Sequence, residues 1–222
     1  LTGRSQTIGW SEVISATEDP SEIAAQAMAH MQVISDPART MLGAAQEAWL
    51  ADALAESARA GKTWQVLANQ VIMARVAMPD FTQSLTPEQI AAQPVPQVQQ
   101  MIGFSVLGLP WNLDAWDGYP AARERLYDSV EAAGARLVTL GLGDYVTGIP
   151  DLGEQFAAAN SEVDWFDPTG HGYTIVTLTP EKVTGAFVKI SSIVDDAFDV
   201  ETVAVFEGMP KDRGVSGLTR AS

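Results

Sequence analysis

The residue best placed to do chemistry in this 222-residue chain is an asparagine closing an apolar run. Thr63-Trp64-Gln65-Val66-Leu67-Ala68 reads as a buried strand ending in Asn69-Gln70, and in open α/β sheets ligands gather outside the carboxyl ends of strands. Asn offers a neutral oxygen that can hold a hard metal ion or a phosphoryl oxygen without adding charge. An Asn in that place is also the ordinary residue for making a turn. Gln70 beside it is a candidate substrate contact, and otherwise structural. Arg75 brings a planar fork suited to two parallel bonds with an oxyanion, although exposed arginines are usually just solvated. Farther on, Asn112-Leu113-Asp114-Ala115-Trp116-Asp117-Gly118-Tyr119-Pro120 offers Trp116 and Tyr119 as pocket walls or as packing. Asp117 there has the type and place of an N-cap.

His30 and His171 are the only histidines. His30 falls on an amphipathic helical face and reads as a packed or half-exposed residue. Gly170-His171-Gly172-Tyr173 carries Tyr173 where a G-H-x-H metal loop would place its second His, and it opens a strand rather than closing one. Neither histidine has a context that positions a nucleophile. A phosphate-cradling G-x-x-x-x-G-K-[ST] loop is absent from the sequence.

These residues need a framework of alternating helices and strands. The opening, from Leu1 to Thr17, has no clear period and reads as loop. Asp19-Pro20 starts a helix with a cap and a proline in the first turn, and Asp36-Pro37 breaks it. From Arg39 a second helix runs to Ser57 and stops at Gly61, with Leu42, Ala45, Trp49, Ala53 and Ser57 on one stripe and Leu50 and Leu54 beside it. Leu42, Trp49, Leu54, Val66 and Leu67 are expected to share one core, because helix and strand must cover each other. Between 77 and 110 lie Pro79, Pro87, Pro94, Pro96 and Pro110, too many for one continuous element. That stretch reads as a Pro-rich insertion over the sheet's carboxyl end, with Met78, Phe81, Met101, Phe104 and Trp111 as its apolar underside and a helix start at Thr86-Pro87. A helix from Pro120 to Gly134 then feeds the strand Leu137 to Leu140. Beyond Asp144 come antiparallel strands in a sheet-on-sheet half, and a polar, mobile tail over 210–222.

Composition limits the partners. Twenty-eight acidic residues against 13 basic ones give a net charge of −15, which disfavours nucleic acid as a bulk partner because that binding rests on clustered Lys and Arg. There is no cysteine, so neither disulfides nor thiolate metal sites arise. No apolar run approaches the roughly 20 residues of a membrane span. The sequence sets no oligomeric state.

The helix Leu42-Gly43-Ala44-Ala45-Gln46-Glu47-Ala48-Trp49-Leu50, the strand ending in Asn69-Gln70 and the Trp116-Asp117-Gly118-Tyr119 segment together resemble the PhoD-like alkaline phosphatase/phosphodiesterase family. In that family a helix of form L-G-x-x-Q-x-x-W-L precedes a strand ending in N-Q, and W-D-G-Y opens a later helix. The resemblance runs from about Leu1 to about Ile193. It implies an α/β, layered metallophosphoesterase-like fold, two packed mixed sheets flanked by helices, as a single domain over 1–222. It also implies hydrolysis of phosphate mono- or diesters, small phosphate esters as substrates, iron and calcium as cofactors with other divalent metals as alternatives, and a periplasmic or extracellular location. Asn69 is the metal ligand it favours, and Gln70, Arg75, Trp116 and Tyr119 stay candidates for the substrate side from their own types and places.

The chain also departs from the family pattern. The aspartate-bearing N-terminal strands expected before Leu1 are not in the sequence. The G-D-x-H segment expected after the strand Ala135 to Gly141 is replaced by Leu142-Gly143-Asp144-Tyr145. One reading is a missing segment between Gly141 and Leu142; the other is a degenerate motif at Gly143-Asp144. A different class stays open beside the enzyme: a non-catalytic α/β binding or scaffold module that has lost the metal centre.

Overall fold

A computed structural model describes residues 3–14, 19–92, 96–142, 149, 151–194 and 196–221. Its helices begin where caps and prolines put them. Helix α1 (Trp10–Val13) is a single turn inside the stretch expected as loop, and it forms because Trp10 is buried with its indole N–H donating to Pro110 O at 2.7 Å. Helix α2 (Pro20–Ile34) opens on Asp19, which accepts from Ser21 N at 2.8 Å. Helix α3 (Ala44–Arg59) starts later than the sequence suggests, after Thr40 Oγ1 accepts from Gly43 N at 2.8 Å and donates to Glu47 at 2.6 Å. Gly61 follows it with φ +72°, the left-handed residue expected beyond a helix end.

Strand β1 (Gln65–Val71) comes next, then α4 (Pro87–Ala91) with a Thr86–Gln89 capping box, and α5 (Pro96–Ser105). Helix α6 (Pro120–Ala133) leads into β2 (Leu137–Leu142), which runs through Gly141 and Leu142 as one strand. Helix α7 (Leu152–Ala159) precedes β3 (His171–Leu178), β4 (Val183–Ile190), β5 (Val200–Gly208) and β6 (Thr219–Arg220). The alternative motif Gly143-Asp144 lies outside the described residues, as do Pro94 and parts of the opening segment.

The architecture is mixed α/β with helices and two sheets, as expected. Strands β1 and β2 pair: Gln65 N donates to Arg136 O at 3.0 Å at one end, and Gly141 lies against Val71 O at the other, so they run parallel. Strands β3-β4-β5-β6 form one antiparallel sheet in that order, where a sheet-on-sheet half was expected. The stretch expected as a tail carries β6, paired with Phe206 and Glu207 of β5.

The chain divides into two compact units, Leu1–Glu47 with Asn69–Arg125 and Gly141–Phe166, and Ala48–Ala68 with Leu126–Leu140 and Asp167–Ser222. In the first unit, Ile14, Ile34, Met78, Phe81, Ile102 and Phe156 belong to one buried cluster, each contributing about 1.5–3 kcal/mol by leaving water. Several of these come from the Pro-rich stretch. Its side chains are buried as the sequence suggests, but they build the unit's own core. In the second unit the sheet buries Val183, Val188, Ala204 and Phe206, with the Phe187 and Phe206 rings edge to face at 6.0 Å.

The core expected around α3 and β1 is corrected. Trp49 is 68% exposed and Val66 48% exposed, while Leu54 is buried and Leu42 and Leu67 are half-buried. Helix α3 turns Leu50 and Leu54 inward, an i, i+4 pair beside the stripe that held Trp49. Strand β1 alternates so that Gln65, not Val66, faces in. That burial is tolerated because the amide of Gln65 is fully bonded: it accepts from Arg136 N at 2.7 Å and donates to Ser57 Oγ and Lys62 O, both at 3.1 Å.

Candidate functional site

Asn69 stands two residues before the end of β1, half-buried, on the side set by Gln65 and Leu67. Its Nδ2 donates to Val71 O at 2.8 Å, a local bond of the kind a turn residue makes. That bond uses the nitrogen. The oxygen, the atom with affinity for a cation, accepts no hydrogen bond among the described residues. Gln70 alternates to the other side and is exposed.

Beyond the strand end, several backbone groups between Met73 and Ala77 are held by side chains from distant parts of the first unit. Arg123 Nη1 donates to Met73 O at 3.4 Å. Glu162 accepts from Arg75 N at 2.9 Å, and Asp117 Oδ2 accepts from Val76 N at 2.9 Å. Asn160 accepts from Ala77 N at 2.6 Å while donating to Ala77 O and Phe156 O, both at 3.0 Å. Buried backbone groups outside regular structure must find such partners, and here they are charged or amide side chains. Arg123, Asn160 and Glu162 carry no signal in the sequence near residue 75, because Asn160 and Glu162 arrive from more than eighty residues away.

Asp117 corrects another expectation. It does not cap α6. It sits in a short 3-10 turn, Trp116–Gly118, and its Oδ1 accepts from Arg123 Nη1 at 2.6 Å in a pair whose side chains are 8% and 5% exposed. Burial pushes its carboxyl above the usual aspartate range, and the bonds from Arg123 and Val76 N pull it partly back. Gly118 is required by space: a Cβ there would lie 1.9 Å from Leu113 O. Trp116 and Tyr119 are 1% and 0% exposed. Tyr119 Oη donates to Ser5 O at 2.7 Å and accepts from Arg4 Nε at 3.0 Å, while the guanidiniums of Arg39 and Arg4 lie 5.0 and 5.2 Å from its ring centre. Both aromatics are packed in protein and show no face to solvent.

Arg75 forks between Glu124 and Glu162, and those two carboxylates raise its already high pKa further. His30 packs edge-on against Trp10 at 5.8 Å, and burial, with Arg39 nearby, lowers its pKa.

Among the described residues the donor set does not match a centre for iron and calcium. Among the described residues no three His, Asp or Glu side chains come together as a metal-holding group. The carboxylates that gather past the strand end, Asp117, Glu124 and Glu162, are each paired with an arginine. What the arrangement does is hold the strand end and the segment after it in one conformation, with Asn69 at its edge.

The chain is similar to the solved structure of PhoD, with a TM-score of 0.61 and 20% identity over 85% of this chain and 37% of that one; at that identity the likeness shows the fold. It is 28% identical over 129 residues to alkaline phosphatase D of Bacillus subtilis (strain 168), covering 58% of this chain and 17% of that enzyme. The chain thus spans well under half the length of either relative. The family model described as PhoD-like phosphatase matches residues 15–146, taking in Asn69, Arg75 and the Trp116 to Tyr119 turn. With more than half of its residues matched, this chain belongs to the PhoD-like phosphatase family.

Proposed function

We propose that the protein carrying this chain hydrolyses phosphate mono- or diesters with the help of bound metal, iron and calcium being the ions the family resemblance implies. The observation that carries this reading is the family match across residues 15–146, which includes the strand end at Asn69. Asn69 supplies one ligand through its amide oxygen, and the segment clamped by Asp117, Asn160 and Glu162 keeps that strand end in place. The remaining ligands come from outside the described residues. A periplasmic or extracellular location goes with the same reading.

The arginine-paired carboxylates past the strand end favour a second reading for the 222 residues as such: a non-catalytic module that keeps the framework without the metal. One experiment separates the two. The protein is assayed with p-nitrophenyl phosphate and bis(p-nitrophenyl) phosphate before and after exhaustive chelation, and again with iron and calcium restored. Hydrolysis lost on chelation, regained with metal and abolished in Asn69→Ala at unchanged thermal stability supports the enzyme. No hydrolysis in any metal supports the module, and full activity in the metal-free protein overturns the metal-dependent reading.

A further inference from the structure

The second unit holds a feature that the phosphatase reading does not use. An open concavity of about 680 Å³ is lined by Thr63, Arg136, Pro180, Lys211, Asp212 and Arg213 among others, a size within the roughly 300–1,000 Å³ range of small-molecule sites. The chain has 13 basic residues against 28 acidic ones. Six are in ion pairs: Arg4, Arg75, Arg123, Arg125, Lys182 and Lys189. Of the other seven, Arg39, Arg59, Lys62 and Arg220 do not line this one concavity, while Arg136, Lys211 and Arg213 do.

Their positions are fixed by bonds that do not consume the charge. Lys211 and Arg213 stand on a tight hairpin in which Lys211 N donates to Gly214 O at 3.1 Å and Pro210 bridges Val215. Gly214, at φ +72°, makes that turn possible. Arg136 Nε donates to Lys211 O at 2.7 Å, tying the guanidinium to the hairpin by one of its five N–H groups. Its own backbone is held at both N and O by Gln65. On the facing wall, the indole N–H of Trp64 bonds Thr179 O, fixing the turn that carries Pro180.

We infer that this concavity is a binding site for a phosphate-bearing anion, separate from the strand end at Asn69. Three cationic side chains, one held by its guanidinium and two carried on a fixed turn, match the several acceptor oxygens of a phosphoryl group. The single lining carboxylate, Asp212, leaves the rim net positive. The volume exceeds what a bare ion fills, so the ligand class is an organic phosphate bound by its phosphoryl end.

The test is calorimetric titration of the whole protein at low salt with inorganic phosphate and with phenylphosphonate, which cannot be hydrolysed. Saturable binding is expected, with phenylphosphonate the tighter of the two. The Lys211→Gln/Arg213→Gln variant is expected to bind at least about tenfold more weakly, since a hydrogen bond to a charged group is worth about 1.5–3 kcal/mol. A control that removes two charges elsewhere, Arg59→Gln/Arg220→Gln, is expected to bind as the parent does. Arg213→Gln alone serves if the double variant unfolds. Equal affinity for the two ligands assigns the site to inorganic phosphate. No saturation by about 10 mM of either ligand, or the same loss in the control as in the hairpin variant, overturns the proposal.

Discussion

Two of the three segments that carry the family resemblance each contain a tryptophan and a carboxylate paired with an arginine of α6. In Trp116-Asp117-Gly118-Tyr119 the indole is 1% exposed, and Asp117 meets Arg123 with side chains 8% and 5% exposed. In Leu42 to Leu50 the indole of Trp49 is 68% exposed, and Glu47 meets Arg125 with side chains 25% and 39% exposed. The residue types are alike and the energetics are not. A buried ion pair that loses one member leaves an uncompensated charge in the interior, whereas an exposed pair is screened and nearly neutral. The first segment therefore locks the fold around the strand end, and the second contributes through Leu50 and Leu54 rather than through its conspicuous tryptophan.

The largest effect that would break this contrast is at Asp117. Asp117→Ala strands the Arg123 charge and leaves the buried Val76 N–H without its acceptor, so a loss of about 3–5 kcal/mol in urea unfolding is expected. Asp117→Asn keeps an acceptor for Val76 N and should cost less. A loss below about 1 kcal/mol for the alanine variant would show that the pair is no anchor. Gly118→Ala comes next. Its Cβ would meet the Leu113 carbonyl oxygen at 1.9 Å, and since backbone must yield, about 1–3 kcal/mol is expected, checked by the same unfolding midpoint.

How much of this was legible in the sequence follows from the range of each interaction. The caps at Asp19 and Thr86 and the stop at Gly61 depend on neighbours within a few residues, and they appear as read. Gly118 was read only as one letter of W-D-G-Y, and what requires it, a carbonyl five residues upstream, is a matter of packing. Asn160 and Glu162 reach residues 75 to 77 from across the chain, and no spacing rule announces that. The face of α3 was misread because a stripe with Trp49 and one with Leu50 and Leu54 differ by about 100° of helix rotation. Periodicity alone does not choose between them. The inward turn of Gln65 was hidden for a related reason: alternation fixes two faces of a strand, and only the partners of the amide decide which face a glutamine can occupy.

A smaller effect sharpens the exposed half of the comparison. Hydrogen bonds from Arg125, with Thr40 adding to them, hold the Glu47 carboxyl below its ordinary value of 4.5. A carboxyl whose folded pKa is depressed stabilises the fold above its unfolded pKa, and that contribution is lost as pH falls through the folded pKa. Glu47→Gln should therefore cost up to about 1 kcal/mol near neutral pH, given the exposure of the pair. The difference from the parent should shrink below 4.5 and vanish once Glu47 is protonated. Unfolding midpoints of both proteins, followed from about pH 7 to about pH 3, check the sign. A gap that widened on acidification would reverse it.

The smallest expected effect is the most direct test of the contrast between the two tryptophans. Trp49→Ala removes a side chain that is 68% exposed, so little of its apolar area is returned to water, and the change should stay within about 0.5 kcal/mol, as for surface substitutions generally. A buried tryptophan truncated in the same way costs about 3–5 kcal/mol, which is the expectation for Trp116→Ala. The two variants differ only in where the same side chain sits, so their unfolding midpoints measured side by side isolate burial from residue type. A Trp49→Ala loss approaching that of Trp116→Ala would place the indole in a core and restore the stripe of Ala45, Trp49 and Ala53 as the inward face of α3.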